Sequence, residues 1–148
     1  YATSDRGACH LRTTFYKHEL SGVVDPEEIE GKAALLAECE DKLTIFDSLI
    51  LCKFYQDLIP WEGLSTIVEG STGLRLSKEE LRRIAANISD ATRRFNIQEG
   101  VTRDDDTLPK RLFEEPIGGK AIRQQDLQRM VDDYYRVRGW NREGIPPQ

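Results

Sequence analysis

The sequence predicts an all-α fold, an irregular multihelical domain with long loops, and three observations carry that expectation. Ser77-Lys78-Glu79-Glu80 is a capping box, in which the Ser hydroxyl and the Glu carboxylate each reach an orphan N–H at a helix start. Apolar residues recur at three and four spacing after it, and again at Leu127, Met130, Val131, Tyr134 and Tyr135. Nowhere do β-branched residues alternate with polar ones between turn signals, as a half-buried strand requires.

In chain order, residues Tyr1 to Leu20 show no sustained period and read as irregular with one short helix. Asp25-Pro26-Glu27-Glu28 has the form of a helix start: an Asp cap, Pro at the first helical position, and acids facing the positive end of the dipole. From Ile29 onward Ala33, Leu36, Leu43, Phe46 and Ile50 share a face, with a break expected near Asp47. A further helix spans Trp61 to Glu69, ended by Gly70 and Gly73. After the capping box, Leu81, Ile84, Ala85, Ile88, Thr92 and Phe95 form a stripe that stops near Gly100. Val101 to Ile122 holds Pro109, Pro116, Gly118 and Gly119 and reads as a long connection. The last helix stops at Gly139, and the tail Gly144-Ile145-Pro146-Pro147 is extended.

The chain has 148 residues, one ordinary domain in size, and can bury a core without disulfides or a structural metal. Its 21 Lys and Arg against 26 Asp and Glu give a formal charge of -5, with the basic residues interleaved among acids. That field repels a polyanion, so nucleic acid is not an expected partner. No apolar stretch approaches the roughly 20 residues of a membrane span. The chain opens Tyr-Ala-Thr-Ser-Asp-Arg, without an initiator Met or a signal-like apolar run, as expected if a preceding portion has been removed. Cys9, Cys39 and Cys52 are an odd set without metal spacing, read as buried reduced thiols of a cytoplasmic protein.

Residues that could carry chemistry are few. His10 follows Cys9 in Asp5-Arg6-Gly7-Ala8-Cys9-His10-Leu11-Arg12, and its ordinary pKa suits proton transfer near neutrality, although a lone His in a loop is commonly a surface residue. Asp47 and Cys52 flank the apolar run Ser48-Leu49-Ile50-Leu51, where a carboxylate needs a partner; a cap for Ser48 to Tyr55 is the plain structural role. Lys17, His18 and Asp57 read as surface or loop positions. Asp104 to Arg111 suits a solvated loop, an interface, or a phosphate contact through Lys110 and Arg111. No phosphate loop, HExxH, GxSxG or zinc spacing is present.

Arg6 to Arg12, Asp47 to Cys52, Asp104-Asp105-Asp106-Thr107-Leu108-Pro109-Lys110-Arg111 and the closing Tyr134 to Trp140, in that order, resemble the C-terminal region of the tungsten-dependent aldehyde:ferredoxin oxidoreductase family. The resemblance covers nearly the whole chain. It implies a parent that oxidises aldehydes to carboxylates, reduces ferredoxin, and holds a tungsten or molybdenum bis-pyranopterin and one [4Fe-4S] cluster. It also implies that the upstream pterin-binding domain and three cluster cysteines lie outside these 148 residues, so the chain alone holds neither cofactor and does not turn over.

The family's DxxGLC motif matches Asp47, Leu51 and Cys52, with Ile50 where the motif has Gly. By that match Asp47 hydrogen-bonds a pterin, Cys52 is the fourth cluster ligand, and His10 is the active-site histidine that orients the aldehyde or its hydrate. Cys9 and Cys39 match no ligand position. A different class of reading, a cofactor-free helical structural or interaction domain, carries its own expectation of self-association through apolar surface. A helical regulatory or adaptor protein is the third.

Overall fold

Six α-helices form among the residues that the computed structural model describes, 1–116, 119 and 121–148, and no strand does. In order they are α1 (Tyr16–Leu20), α2 (Lys32–Ser48), α3 (Trp61–Thr72), α4 (Lys78–Gln98), α5 (Arg111–Glu114) and α6 (Gln124–Arg138), with 3-10 turns at Lys53–Tyr55 and Arg103–Asp105. The all-α class and the irregular N-terminus with its one short helix are as expected. Gly118 of the long connection lies outside the described residues.

Local hydrogen bonds explain where the helices begin. Ser77 forms both halves of the capping box: the Glu80 amide donates to its hydroxyl at 3.2 Å, and its own amide donates to the Glu80 carboxylate at 2.8 Å. The Asp25 start does not propagate. The Glu27 amide donates to Asp25 Oδ1 at 2.9 Å, but the Glu28 carboxylate then accepts from both the Ile29 and Glu30 amides, and Gly31 turns left-handed at φ 76°. Side chains that bind their own backbone compete with helix, so α2 starts at Lys32 instead. Gly70 lies inside α3, and Gly73, at φ 78°, is the residue that ends it.

Three helices end in one hydrogen-bond pattern. Trp140 N donates to Tyr135 O and Gly139 N to Arg136 O; Val101 N donates to Asn96 O and Gly100 N to Ile97 O; Leu51 N donates to Phe46 O and Ile50 N to Asp47 O. Each is a Schellman end, with a left-handed residue just past the helix. Gly139 and Gly100 fill that position at the ends of α6 and α4. At the end of α2 it is Ile50, at φ 56°, a β-branched side chain in a region that favours glycine.

Helix α2 packs against both α4 and α6, and α3 packs against α4. Its two halves serve different partners. Ala33 and Ala37 leave room for Leu127, Val131, Tyr134 and Tyr135 of α6, whereas Leu43, Ile45 and Phe46 bury with Trp61, Leu64 and Val68 of α3 and Leu81 and Ala85 of α4. A helix buried on more than one side loses its amphipathic stripe, which is why Ile45 is core although it lies off the expected face.

Charged pairs are buried among these helices. Arg138 of α6 donates to Glu40 Oε2 at 2.7 Å and Asp41 Oδ1 at 2.6 Å, and Tyr134 OH donates to the same Glu40 oxygen at 2.6 Å. Arg93 of α4 makes a bidentate contact with Asp106, at 3.0 and 2.6 Å, and donates to Gly144 O at 3.0 Å. Tyr135 OH donates to Asp106 as well, and the Arg93 guanidinium lies 5.5 Å from the Trp140 ring centre.

The Arg93 node corrects two expectations. The acidic run is not one solvated cluster, because Asp104 and Asp105 are exposed while Asp106 is buried. Nor does α4 bury the expected stripe: its buried face is Leu81, Ala85, Ser89 and Arg93, leaving Ile84 and Ile88 partly exposed and Phe95 60% exposed. The tail is held too, since the Gly144 carbonyl accepts from Arg93 and Pro146 is buried.

Two substitutions test these ends and pairs. Ile50→Gly relieves about 1–2 kcal/mol of left-handed strain and gives back about half of it as chain entropy, so urea unfolding should show a gain of roughly 1 kcal/mol; a loss would mean that the exposed Ile50 side chain is held in place by contacts. Asp106→Ala strands the Arg93 charge and should lower unfolding stability by about 3–5 kcal/mol, and a loss under about 1 kcal/mol would show that water screens the pair.

Candidate functional site

The end of α2 sets the geometry of the Asp47–Cys52 segment. Asp47 is in the last helical turn, Ile50 makes the left-handed step, and Leu51 folds back onto the cluster that contains Phe46. That inward contact, between the residues just past and just inside a Schellman end, is the usual hydrophobic partner of the hydrogen bonds. It leaves Cys52 exposed at the start of the 3-10 turn. Asp47 is exposed as well, paired at 2.9 Å with the Lys53 ammonium rather than capping a following helix. Asp47 thus has the partner it was expected to need but not the expected capping role, and the Cys52 thiol, expected to be buried, is at the surface.

His10 stands elsewhere, exposed on the N-terminal segment with its ring edge-on to Tyr16 at 6.2 Å between centres. It borders a cleft of about 760 Å³ whose walls include Cys9, Tyr16, Leu36, Leu127 and Met130. This volume is in the range of small-molecule sites, and its lining is mainly apolar. Asp47, Leu51 and Cys52 do not line the cleft.

The two parts are tied together along their length. Lys53 Nζ donates to Leu11 O at 3.0 Å and to Asp47 Oδ2 at 2.9 Å, Arg12 donates to Thr44 Oγ1 at 3.0 Å, and Thr14 Oγ1 donates to Gln56 Oε1 at 2.8 Å. Lys17 pairs with Asp57 at 3.0 Å at the surface, as those positions suggested. Lys53 is the residue sequence reasoning passed over. Its position directly after Cys52 was the one available signal, and nothing in sequence shows which backbone carbonyl a lysine reaches.

The three thiols are free and differ in character. The Leu11 amide hydrogen bond, with help from Arg6, holds Cys9 below the ordinary thiol range. Burial, reinforced by Glu38 and Glu40, pushes Cys39 up to about 11, and its sulfur lies 3.3 Å from His18 Nε2. Cys39 is set back from the surface, whereas Cys52 is exposed. Among the described residues no group of three or more His, Cys, Asp or Glu side chains gathers where a metal ion could be held. The residues present fit a metal-pterin and iron-sulfur site as one contributor among several: an exposed thiol, an exposed carboxylate already paired with Lys53, and a turn that keeps the left-handed conformation.

Comparison with known proteins gives this geometry a setting. The family model described as aldehyde ferredoxin oxidoreductase, domains 2 and 3, matches residues 1–148. The tungsten-containing aldehyde ferredoxin oxidoreductase of Pyrococcus furiosus is 31% identical over 158 aligned residues, covering 100% of this chain and 26% of the relative. The enzyme of the same description from Thermococcus kodakarensis is also 31% identical, with the same coverage. The chain thus spans about a quarter of the length of the curated relatives it matches. Among solved structures, the BamBC active-site complex of benzoyl coenzyme A reductase, bound to 1,5 dienoyl-CoA, superposes with a TM-score of 0.67 at 20% identity. That match covers 83% of this chain and 19% of the other, and it shows a shared fold. With a helical architecture matched in a solved structure and the family model matched from first residue to last, the chain belongs to the aldehyde ferredoxin oxidoreductase family.

Proposed function

We propose that the chain is the closing helical part of an enzyme that oxidises aldehydes to carboxylic acids and passes the electrons to ferredoxin. The observation that carries this reading is the end of α2, which anchors Leu51 inward and leaves Cys52 and the Lys53-paired Asp47 outward on one short segment. A tungsten or molybdenum bis-pyranopterin and a [4Fe-4S] cluster supply the two-electron oxidation and the onward electron transfer when bound. Within that enzyme Cys52 supplies a thiolate to a cluster iron, and the Asp47 carboxylate accepts a hydrogen bond from the N–H edge of a pterin. His10, at the border of the cleft, orients the aldehyde or its hydrate and takes or gives a proton at a ring nitrogen.

The other ligands come from outside the described residues, so the remainder of the parent enzyme is the first partner, and aldehyde and ferredoxin follow. No helix among the described residues is long and apolar enough to cross a membrane. In the full-length protein, Cys52→Ser should strip iron and sulfide, and Asp47→Asn should weaken retention of tungsten or molybdenum, both read by metal and sulfide analysis. His10→Asn should lower kcat about 100-fold or more with metal content unchanged. Full iron content in Cys52→Ser would sink the ligand assignment.

The second reading, a cofactor-free interaction domain, rests on exposed apolar side chains around the same segment. Phe54 is 89% exposed, and Leu58 and Ile50 are also exposed. Three large apolar side chains are thus open to solvent within nine positions of sequence, and large apolar patches are rare in monomers. Residues 1–148 alone should therefore sediment as dimers or larger species, and Phe54→Ser with Leu58→Ser should shift them toward monomer. A strictly monomeric profile of the unaltered chain would remove this argument.

A further inference from the structure

We propose that Lys53 is a positioning residue that locks the His10 segment and the Asp47–Cys52 segment in one fixed relation. The inference rests on the reading of His10, Asp47 and Cys52 as the working side chains. Its ammonium serves two acceptors at once, the Leu11 carbonyl at 3.0 Å and Asp47 Oδ2 at 2.9 Å. Leu11 is the residue after His10, and Lys53 is the residue after Cys52, so one side chain joins the immediate neighbours of two candidate site residues 42 positions apart.

The pair differs from an ordinary surface ion pair in three ways. The Lys53 side chain is only 18% exposed, so its stem is packed and its head is not free to wander. One of its acceptors is a backbone carbonyl, which fixes main chain rather than another mobile side chain. Other ties between the segments, Arg12 to Thr44, Thr14 to Gln56 and Lys17 to Asp57, lie farther along from His10. An ammonium has three donors and no acceptor, whereas a methionine of similar length has no donor to offer either the carbonyl or the carboxylate. Lys53 also supplies the charge beside Asp47, so the carboxylate is aimed and compensated before any pterin N–H approaches.

The test uses the full-length protein and the variants Lys53→Met, Lys53→Arg and Cys52→Ser. In Lys53→Met, hydrogen exchange of the amides in residues 8–12 and 48–52 should quicken about tenfold, with α4 and α6 unchanged. Since a misplacement of about 1 Å can cost about 100-fold in rate, kcat should fall at least about tenfold while KM for aldehyde stays within about twofold. Lys53→Arg keeps a charge and several donors and should recover most of the lost kcat. Unchanged exchange in Lys53→Met overturns the lock, and so does quickened exchange with unaltered kcat. Equal loss in the Met and Arg variants with a general fall in melting temperature reduces Lys53 to a stabilising residue and also overturns it. The exchange measurement needs no cofactor, so it decides the lock even if Cys52→Ser keeps its iron and the ligand reading fails. If Cys52→Ser loses its iron while Lys53→Met matches the parent in exchange and rate, the lock alone is wrong.

Discussion

Helix α2 ends by giving two of its last carbonyls to the amides of Ile50 and Leu51, and the position of every candidate residue on that side follows from those two hydrogen bonds. They turn the chain back so that Leu51 drops onto the Phe46 cluster, which in turn points Cys52 outward. The magnitudes show why the turn survives an isoleucine where glycine is preferred. Left-handed backbone costs about 1–2 kcal/mol for a side-chain-bearing residue. Partial burial of Leu51 returns about as much, since full burial of such a side chain is worth about 1.5–3 kcal/mol. The two helix-end hydrogen bonds add to that balance, so the strained step is held rather than unfolded. In this chain Ile50 is the residue past a helix end, and Cys52, two positions on, is aimed by that step.

The same comparison of magnitudes explains the rotation of α4. Turning the helix to bury Ile84 and Ile88 more fully would gain about 1 kcal/mol or so for each, since both are already partly covered. It would also pull Arg93 away from Asp106, stranding one buried charge at a cost of about 3–5 kcal/mol. The ion pair wins, and the apolar side chains stay at the surface. Because Arg93 also holds the Gly144 carbonyl, that choice fixes the C-terminal tail, and the Tyr135 hydroxyl ties α6 into the same node.

What the sequence made legible is local. The Ser77 capping box, the Gly139 stop, the α6 face and the break at the end of α2 all depend on residues within a few positions of one another, and all appear where the pattern put them. The Asp25 start does not continue into a helix because a local competitor, the Glu28 carboxylate, takes the Ile29 and Glu30 amides. The α4 face failed for a different reason: its register is set by Asp106, on a separate connection, and periodicity carries no information about such a partner. For the candidate site, the residues were proposed by resemblance, and their exposure was not readable from sequence. Asp47 lies in an apolar stretch of sequence and yet at the surface, because the last turn of α2 buries Ile45 and Phe46 and leaves Asp47 on its outer side.

That outward direction is consistent with a site completed by other parts of a longer chain. A ligand has to project beyond its own core to meet groups that another domain supplies, yet it has to be rigidly based to keep its aim. In the proposed enzyme the partly buried Leu51 and the Lys53 tie would meet the second need, and the exposed Cys52 the first. The exposed Phe54, Leu58 and Ile50 around it then have a use in the proposed enzyme. Covering each would contribute up to about 1.5–3 kcal/mol to docking of the remaining domains. The same contact would exclude water from the surroundings of a cluster ligand, where a lower dielectric strengthens every charge interaction.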